Sequence, residues 1–211
     1  MTSPEPAPRG TSGRAPLPPP RRAATSLPID LVAAGTPLFR IHRFDRDPLF
    51  FGPGKGTAAT YRFDSLIGAF GVLYVGLSLG VAVVETLLRN PARRLVAWSD
   101  LAERASCVVT SARVLRIVRL HGTGLQAVGC DHAISTGPCL WRLGGCALGA
   151  FGHADGIGYQ SRHDPGEICL ALFERPDLRL QTSESAPLIQ QLPTIAAIFS
   201  AYRKSIVDVP V

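Results

Sequence analysis

Charged residues are scarce in this 211-residue chain, and lysine is nearly absent. Asp, Glu, Lys and Arg make up 18% of the residues, against about a quarter in ordinary globular proteins. Lys55 and Lys204 are the only lysines, so arginine carries most of the positive charge behind the formal net charge of +6. Because arginine pairs with phosphates and carboxylates through two parallel hydrogen bonds, this composition favours an anionic ligand. An arginine-rich proteome explains the same composition.

Recognisable nucleic-acid-binding motifs are also missing. The sequence contains no helix-turn-helix, zinc-finger or RNA-recognition pattern, and its basic residues are scattered along the chain. We therefore expect no direct contact with nucleic acid. Binding of nucleic acid through dispersed arginines stays open as an alternative, and a steep loss of affinity with salt is its test.

The cysteines form no C-x-x-C pair, and their number is odd. They are Cys107, Cys130, Cys139, Cys146 and Cys169. No second ligand pair at zinc spacing accompanies Cys130-Asp131-His132, so we expect no metal site. The N-terminus has no apolar segment of the kind that signal peptides carry. These features predict reduced core thiols in a cytoplasmic protein.

The first part of the chain differs in composition from the rest. Residues 1–34 are rich in proline and arginine and poor in large apolar side chains. Such a segment cannot join a core, so we predict a disordered, partly polyproline arm over residues 1–34. The remaining residues, 35–211, are enough for one domain with one hydrophobic core.

Apolar periodicity predicts more strands than helices in this domain. The strands are expected at residues 38–44, 60–63, 72–75, 114–120, 157–160, 168–173 and 178–181. The helices are expected at residues 78–89, 139–151 and 193–207. Because strands and helices do not alternate regularly, the pattern favours an α+β fold with a compact mixed sheet and flanking helices.

One uncharged segment is long enough to cross a membrane. Residues 66–84 form a run of nineteen residues without a formal charge, close to the roughly 20 that a spanning helix needs. Four glycines interrupt the run, and Gly76 and Ser78 fall where a strand would give way to a helix. A buried strand is also continuously apolar, which favours a soluble core. A membrane-associated, non-catalytic protein stays open as an alternative.

Glu85 is the most informative side chain of the sequence. The predicted helix 78–89 is apolar nearly all round, and a carboxylate in such a helix is costly unless a partner satisfies it. Fraying of the helix end, which would let Glu85 reach water or Arg89, is the structural alternative. Arg62 follows the glycine-rich residues 52–57, where an arginine could clamp a diphosphate. Tyr74 could stack on a heterocycle.

The order of several short motifs resembles the RES domain, a family named for its Arg, Glu and Ser. The motifs are Phe39-Arg40-Ile41, Thr60-Tyr61-Arg62-Phe63-Asp64, Leu73-Tyr74-Val75, Ala82-Val83-Val84-Glu85 and Asp155-Gly156-Ile157-Gly158-Tyr159-Gln160-Ser161. The strand-like Cys169-Leu170-Ala171-Leu172-Phe173 follows them. The resemblance covers about residues 37–180. The turn around Arg62 departs from the usual Gly-Arg-Trp/Phe-Asn, and residues 65–69 lengthen the link to Tyr74.

The resemblance implies a fold similar to ADP-ribosyltransferases and an NAD⁺-consuming enzyme that is the toxin of a toxin–antitoxin pair. By this resemblance, Arg62 would bind the diphosphate of NAD⁺, with Arg40 assisting, and Tyr74 would pack at the nicotinamide end. Glu85 would contact the ribose hydroxyls and stabilise the cation that forms there, and Ser161 would position the ribose or nicotinamide. An oxocarbenium-like state is stabilised by a carboxylate, which agrees with this chemistry.

The same resemblance sets the expected reaction and partners. We expect cleavage of the nicotinamide–ribose bond by hydrolysis or phosphorolysis, with NAD⁺ as the substrate and no metal. ADP-ribosyl transfer to a protein is the alternative reaction. An Xre-like helix-turn-helix antitoxin is the expected partner, and a homodimer stays open.

Overall fold

The chain folds as a mixed β-sheet with flanking helices, which confirms the predicted α+β class. The computed structural model describes residues 27–53, 56–57, 60–65, 68–127 and 153–207. The helix predicted at 139–151, Cys130, Cys139, Cys146 and the arm up to residue 26 lie outside the described residues.

The main sheet contains nine of the described strands, and a small parallel pair stands apart from it. The strands are β1 (Ile29–Val32), β2 (Leu38–Arg43), β3 (Val72–Gly76), β4 (Leu95–Ala97), β5 (Arg104–Ser111), β6 (Leu115–Leu120), β7 (Gly156–Gln160), β8 (Ile168–Phe173), β9 (Leu180–Thr182), β10 (Ala186–Pro187) and β11 (Ser205–Val207). The main sheet has the order β1-β6-β7-β8-β3-β2-β5-β10, with β9 on β5. Within it, β6 and β7 are parallel and the other neighbours are antiparallel.

Four α-helices and one short 3₁₀ helix accompany the sheet in the described ranges. The α-helices are α1 (Leu79–Leu87), α2 (Trp98–Ala102), α3 (Thr123–Ala127) and α4 (Leu192–Ala201), and the 3₁₀ helix spans Leu188–Gln191. None of the helices in the described part of the chain is both long enough and apolar enough to pass through a membrane. The uncharged run 66–84 contains β3 followed by α1, as the buried-strand interpretation predicts.

The main sheet is nearly divided between β2 and β3. These two strands pair only at Phe39 and Gly76, whereas β3 pairs with β8 along its whole length and β2 pairs with β5 along its whole length. Arg40 reaches across the division and donates hydrogen bonds to the carbonyls of Tyr74 (3.1 Å) and Phe50 (3.2 Å). The sheet therefore has two halves joined by one backbone pairing and one arginine.

Helix α1 starts where the two halves meet. Ser78 caps it, because its Oγ accepts a hydrogen bond from the Val81 N–H (3.1 Å). A Cβ atom on Gly76 would overlap Val81 Cγ1 and lie 3.0 Å from the Ser78 carbonyl oxygen. Only a glycine at this position lets the helix begin directly against the end of β3. The predicted helix 78–89 is confirmed, with Ser78 as its N-cap and its end two residues earlier, at Leu87.

Helices α1 and α4 share one hydrophobic cluster over β2. Its buried members are Ile41, Ala82, Val83, Val84, Leu88, Val96, Leu101, Leu188, Ile195 and Phe199. Burying aliphatic and aromatic side chains of this size contributes about 1.5–3 kcal/mol each. The apolar side of α1 is therefore held by α4 and β2, which leaves Glu85 at the border of this cluster.

The predicted boundary of the N-terminal arm at residue 34 is wrong. Ile29–Val32 forms β1, which pairs with β6 from Ile29 opposite Val118 to Val32 opposite Leu115. The short apolar run IDLV supplies enough β-prone side chains to extend the sheet edge, although prolines precede it.

The strand predicted at residues 60–63 is wrong. These residues form a turn, because the Asp64 carboxylate accepts hydrogen bonds from the N–H groups of Thr60 (2.9 Å) and Tyr61 (2.5 Å).

The helix predicted over residues 193–207 is too long, because α4 ends at Ala201. Arg203 adopts a left-handed conformation with φ of 53°, and the chain then enters β11.

Candidate active site

A cavity of about 760 Å³ lies along the division between β2 and β3. Of the described side chains that line it, seven are arginines and only one is a carboxylate, that of Glu85. The arginines are Arg40, Arg43, Arg46, Arg62, Arg89, Arg104 and Arg162. Arg43 and Arg104 form ion pairs with acidic neighbours outside the lining. The remaining positive charge makes this cavity suited to an anionic ligand.

The Glu85 carboxylate is fixed by the loop that follows β7. Its Oε1 accepts hydrogen bonds from Ser161 Oγ (2.6 Å) and from the Arg162 N–H (3.1 Å). The short distance to Ser161 is that of a charge-assisted O–H···O bond. The structure therefore brings together Glu85 and Ser161, which lie 76 residues apart in sequence.

The Ser161 hydroxyl group donates its hydrogen bond to the Glu85 carboxylate. It is fully buried and is not among the residues that line the cavity. Its Oγ accepts hydrogen bonds from the N–H groups of His163 (3.2 Å) and Asp164 (3.0 Å). With both acceptor positions used, the hydroxyl proton points to Glu85. The sequence placed Ser161 against the ribose or nicotinamide, whereas here it contacts the carboxylate.

Arg62 sits in the turn that Asp64 stabilises. Its guanidinium carbon lies 5.6 Å from the ring centre of Tyr159 and 5.9 Å from that of Phe63. Its Nη1 is buried and has no hydrogen-bond partner among the described residues. A buried N–H without an acceptor costs about 1–3 kcal/mol. Arg62 is also one of the residues that line the cavity.

Tyr74 supports the Arg62 turn through its hydroxyl group. The hydroxyl donates to Asp64 Oδ1 (3.0 Å) and accepts from the Phe63 N–H (3.0 Å). Burial and the adjacent Asp64 charge raise the pKa of Tyr74, so it remains a protonated donor. Its half-buried ring lines the cavity and meets the ring of Tyr61 edge-on at 5.6 Å. Tyr74 therefore forms part of the cavity wall with its ring and stabilises the turn of Arg62 with its hydroxyl group.

Arg40 lies in the lining on the other half of the sheet. Two of its nitrogens bind backbone carbonyls across the division, while its buried Nε has no partner among the described residues. Burial lowers the pKa of Arg40, although a guanidinium keeps its charge at neutral pH. Arg40 is thus part of the cavity wall, and it also links the two halves.

Several further lining residues, among them Tyr61, Arg89, Tyr159 and Cys169, were not predicted as site residues from the sequence. Tyr61 is 47% exposed, and the Arg89 guanidinium covers its ring at 5.7 Å. Arg89 also donates from Nε to the Glu85 carbonyl oxygen. Tyr159 is buried beside Arg62, and burial raises the pKa of the neighbouring Cys169 thiol to about 12. Strand alternation in β7 could have placed Tyr159 on the inner face with Ile157.

The fold and the site define an α+β protein with one oriented carboxylate in an arginine-lined cavity. Within the described ranges, no group of three or more His, Cys, Asp or Glu side chains could hold a metal ion. A family model described as the RES domain matches residues 37–192, which is most of the chain. The chain belongs to the RES domain family.

The fold is similar to that of a chain in a solved toxin–antitoxin complex. The crystal structure of the M. tuberculosis MbcT–MbcA toxin–antitoxin complex contains a chain that matches with a TM-score of 0.54 and 18% sequence identity. The match covers 82% of this chain and 91% of that chain. At this identity the likeness concerns the fold. No curated protein matches the sequence.

Proposed function

We propose that this protein is the toxin of a toxin–antitoxin pair and that it cleaves the nicotinamide–ribose bond of NAD⁺ by hydrolysis or phosphorolysis. Membership of the RES domain family supports the assignment, as does the similar fold found in a toxin–antitoxin complex. An Xre-like helix-turn-helix antitoxin, a cytoplasmic location and a homodimer belong to the same proposal.

The orientation of Glu85 carries the proposal. Its Oε1 is held by Ser161 and by the Arg162 N–H, while its Oε2 accepts no hydrogen bond among the described residues. As nicotinamide leaves, positive charge develops on the ribose, and a preorganised carboxylate stabilises that charge without first having to rotate. Oε2 is available to a ribose hydroxyl group, and Ser161 acts by holding the carboxylate.

The arginines of the lining support the nature of the substrate. Arg40 and Arg62 both line the cavity. Phosphate oxygens are strong acceptors for arginine, so a lining of this kind suits the diphosphate of NAD⁺. The rings of Tyr74 and Tyr61 provide an apolar wall for the nicotinamide end.

The acceptor of the ADP-ribose group distinguishes three reactions. Water gives free ADP-ribose (hydrolysis), phosphate gives its phosphate ester (phosphorolysis), and a protein side chain gives an ADP-ribosylated protein (the alternative reaction). The role of Glu85 is the same in all three. The non-catalytic, membrane-associated alternative has less support, because residues 72–76 of the uncharged run form a sheet strand and its residues 79–84 belong to a helix of only nine residues.

A nicotinamide-release assay with purified protein tests the proposal. We expect the wild-type protein to release nicotinamide from NAD⁺, and Glu85→Gln to lower kcat by at least about 100-fold, since an oriented charge is lost. Glu184→Gln is the matched control, because Glu184 is exposed and is not among the residues that line the cavity. Assays with and without inorganic phosphate separate phosphorolysis from hydrolysis.

The proposal fails if a correctly folded wild-type protein releases no nicotinamide in either buffer. It also fails if Glu85→Gln and Glu184→Gln release nicotinamide at the same rate. Circular dichroism and the unfolding midpoint establish that each variant is folded.

A further inference from the structure

The turn after α4 contacts both parts of the protein that hold Glu85 in place. One part is the loop of residues 161–167, which supplies Ser161 and the Arg162 N–H to the carboxylate. The other is helix α1, which carries Glu85 itself. Tyr202, the C-cap residue of α4, binds the 161–167 loop, and Lys204 binds the segment that follows α1. Both residues lie beyond the end of the family match at residue 192.

Tyr202 anchors the 161–167 loop through Asp164. The Tyr202 hydroxyl donates to Asp164 Oδ2, and the Gly166 N–H donates to Asp164 Oδ1 (3.0 Å). The Asp164 N–H in turn donates to Ser161 Oγ (3.0 Å). Burial and the bond to Asp164 raise the pKa of Tyr202, which keeps the phenol protonated. A continuous chain of hydrogen bonds thus runs from α4 to the Glu85 carboxylate.

Lys204 and the core cluster fix helix α1 from the other side. The Lys204 ammonium group is buried, and it donates to the backbone carbonyls of Asn90 (3.0 Å), Pro91 (2.9 Å) and Arg93 (2.5 Å). All three of its donors are therefore used on the segment after α1. Phe199 and Ile195 of α4 belong to the same buried cluster as Val83 and Val84 of α1.

We propose that Tyr202 is a positioning residue for Glu85, acting through Asp164 and Ser161. This inference rests on the proposed function, because it assigns Tyr202 to the site that Glu85 forms. Helix α4 packs against α1, which carries Glu85, and its C-cap residue binds the loop that orients the Glu85 carboxylate. Tyr202 is absent from the cavity lining, so it touches no ligand, and its removal changes the orientation of Glu85 and leaves the binding surface intact.

This geometry predicts a separation of kcat from KM. In Tyr202→Phe the ring remains and the bond to Asp164 is lost, so the loop can shift relative to α1. We expect kcat for nicotinamide release to fall about tenfold, which corresponds to the loss of one hydrogen bond to a charged group. KM for NAD⁺ should stay within about twofold, because the arginines and tyrosines of the lining are unchanged.

Two additional variants separate positioning from a general loss of stability. Asp164→Asn can still accept from the Gly166 N–H and can donate to the Tyr202 oxygen, so it should keep kcat within about threefold of wild type. Asp164→Ala loses both bonds and should resemble Tyr202→Phe or be worse. Ser200→Ala is the matched control, because it removes an exposed hydroxyl group from the same helix.

Amide hydrogen exchange gives a readout that does not need catalysis. The N–H groups of Arg162, His163 and Asp164 are bonded to Glu85 or Ser161. They should exchange about tenfold faster in Tyr202→Phe and at the wild-type rate in Ser200→Ala.

The two proposals can fail separately. If wild-type protein releases no nicotinamide, the proposed function fails, and the exchange rates alone decide whether Tyr202 holds the loop. If the wild type is active but Tyr202→Phe keeps its kcat and its exchange rates, the positioning role is overturned and the proposed function stands. An equal loss of kcat in Asp164→Asn and Asp164→Ala also overturns it.

Discussion

Arg113 and Arg62 are both partly buried, yet the protein treats them in opposite ways. Arg113 binds Asp155 through two hydrogen bonds of 2.8 and 2.7 Å, and it also binds Asp177 at 2.8 Å. Arg62 has aromatic rings beside it and a buried Nη1 without an acceptor among the described residues. A guanidinium whose hydrogen bonds are made to acidic side chains of the protein stabilises the fold, whereas one that lines a cavity without such partners can bind a ligand.

The carboxylates of Asp155 and Glu85 also differ in how they are held. Burial by itself raises the pKa of Asp155, but the hydrogen bonds from Arg113 and from the Arg116 N–H outweigh it and hold the pKa below its usual range. Asp155 is thus a charged anchor between β6 and β7. Glu85 is held by one oxygen only. Asp155 therefore belongs to an ion pair that joins two strands, whereas the Glu85 carboxylate is oriented at the wall of the cavity.

The largest expected effect is on Arg62. Arg62→Gln should lower kcat/KM for NAD⁺ by about 100-fold if Arg62 makes the proposed charge-assisted contact to the diphosphate. The unfolding midpoint should change little, since the buried Nη1 has no hydrogen-bond acceptor among the described residues. Steady-state kinetics and thermal unfolding measure both quantities. The exposed Arg94→Gln controls for loss of positive charge, and a comparable loss of activity there would break the comparison.

Arg113→Gln should show the reverse behaviour. We expect the free energy of unfolding at pH 7 to fall by about 2–3 kcal/mol, somewhat less than for a fully buried pair because the Arg113 side chain is 36% exposed. The folded protein should keep its kcat for nicotinamide release. Chemical denaturation at a series of pH values is the measurement.

The pH dependence identifies Asp155 as the partner. Its pKa is lower in the folded state, so the stabilisation is fully present above the unfolded pKa of about 3.9 and is lost as the pH falls through the folded value. The difference between wild type and Arg113→Gln should therefore shrink below about pH 4. A difference that stays constant with pH would contradict this assignment.

The smallest expected effect concerns Tyr74. Tyr74→Phe removes the hydroxyl group that joins Asp64 to the Phe63 N–H, so the Arg62 turn loosens while the ring still lines the cavity. We expect KM for NAD⁺ to rise about fivefold, which corresponds to one ordinary hydrogen bond. In an Arg62→Gln background the same change should have no further effect on KM. Additive effects in the double variant would show that Tyr74 acts independently of Arg62.

The sequence could predict elements whose signals are local. Helix α1 has a serine N-cap and a run of buried aliphatic residues, and β8 is a continuous apolar run, so both were predicted nearly to the residue. Strand β5 was missed, because its inward positions are Ala105, Cys107, Val109 and Ser111, which are too small or polar to give an apolar alternation. The turn at residues 60–63 was missed because a side-chain carboxylate overrides its β-propensity.

The components of the site were predictable, whereas their connections were not. Arg40, Arg62, Tyr74, Glu85 and Ser161 were all identified from motif order. The bond between Glu85 and Ser161 and the one between Tyr202 and Asp164 join residues far apart in the chain. No spacing rule along one sequence specifies such contacts, because they depend on how the loop after β7 and the end of α4 pack onto α1.

Gly76 has a consequence for how variation in this protein should be interpreted. Its missing side chain is what allows α1 to start against β3, at the single point where the two halves of the sheet pair. An alanine there would place its methyl group against Val81 Cγ1 and 3.0 Å from the Ser78 carbonyl oxygen, so the start of the helix that carries Glu85 has to adjust. A mutational survey scored by enzymatic output would therefore rank position 76 with the charged residues of the pocket, although a glycine offers no functional group to any substrate.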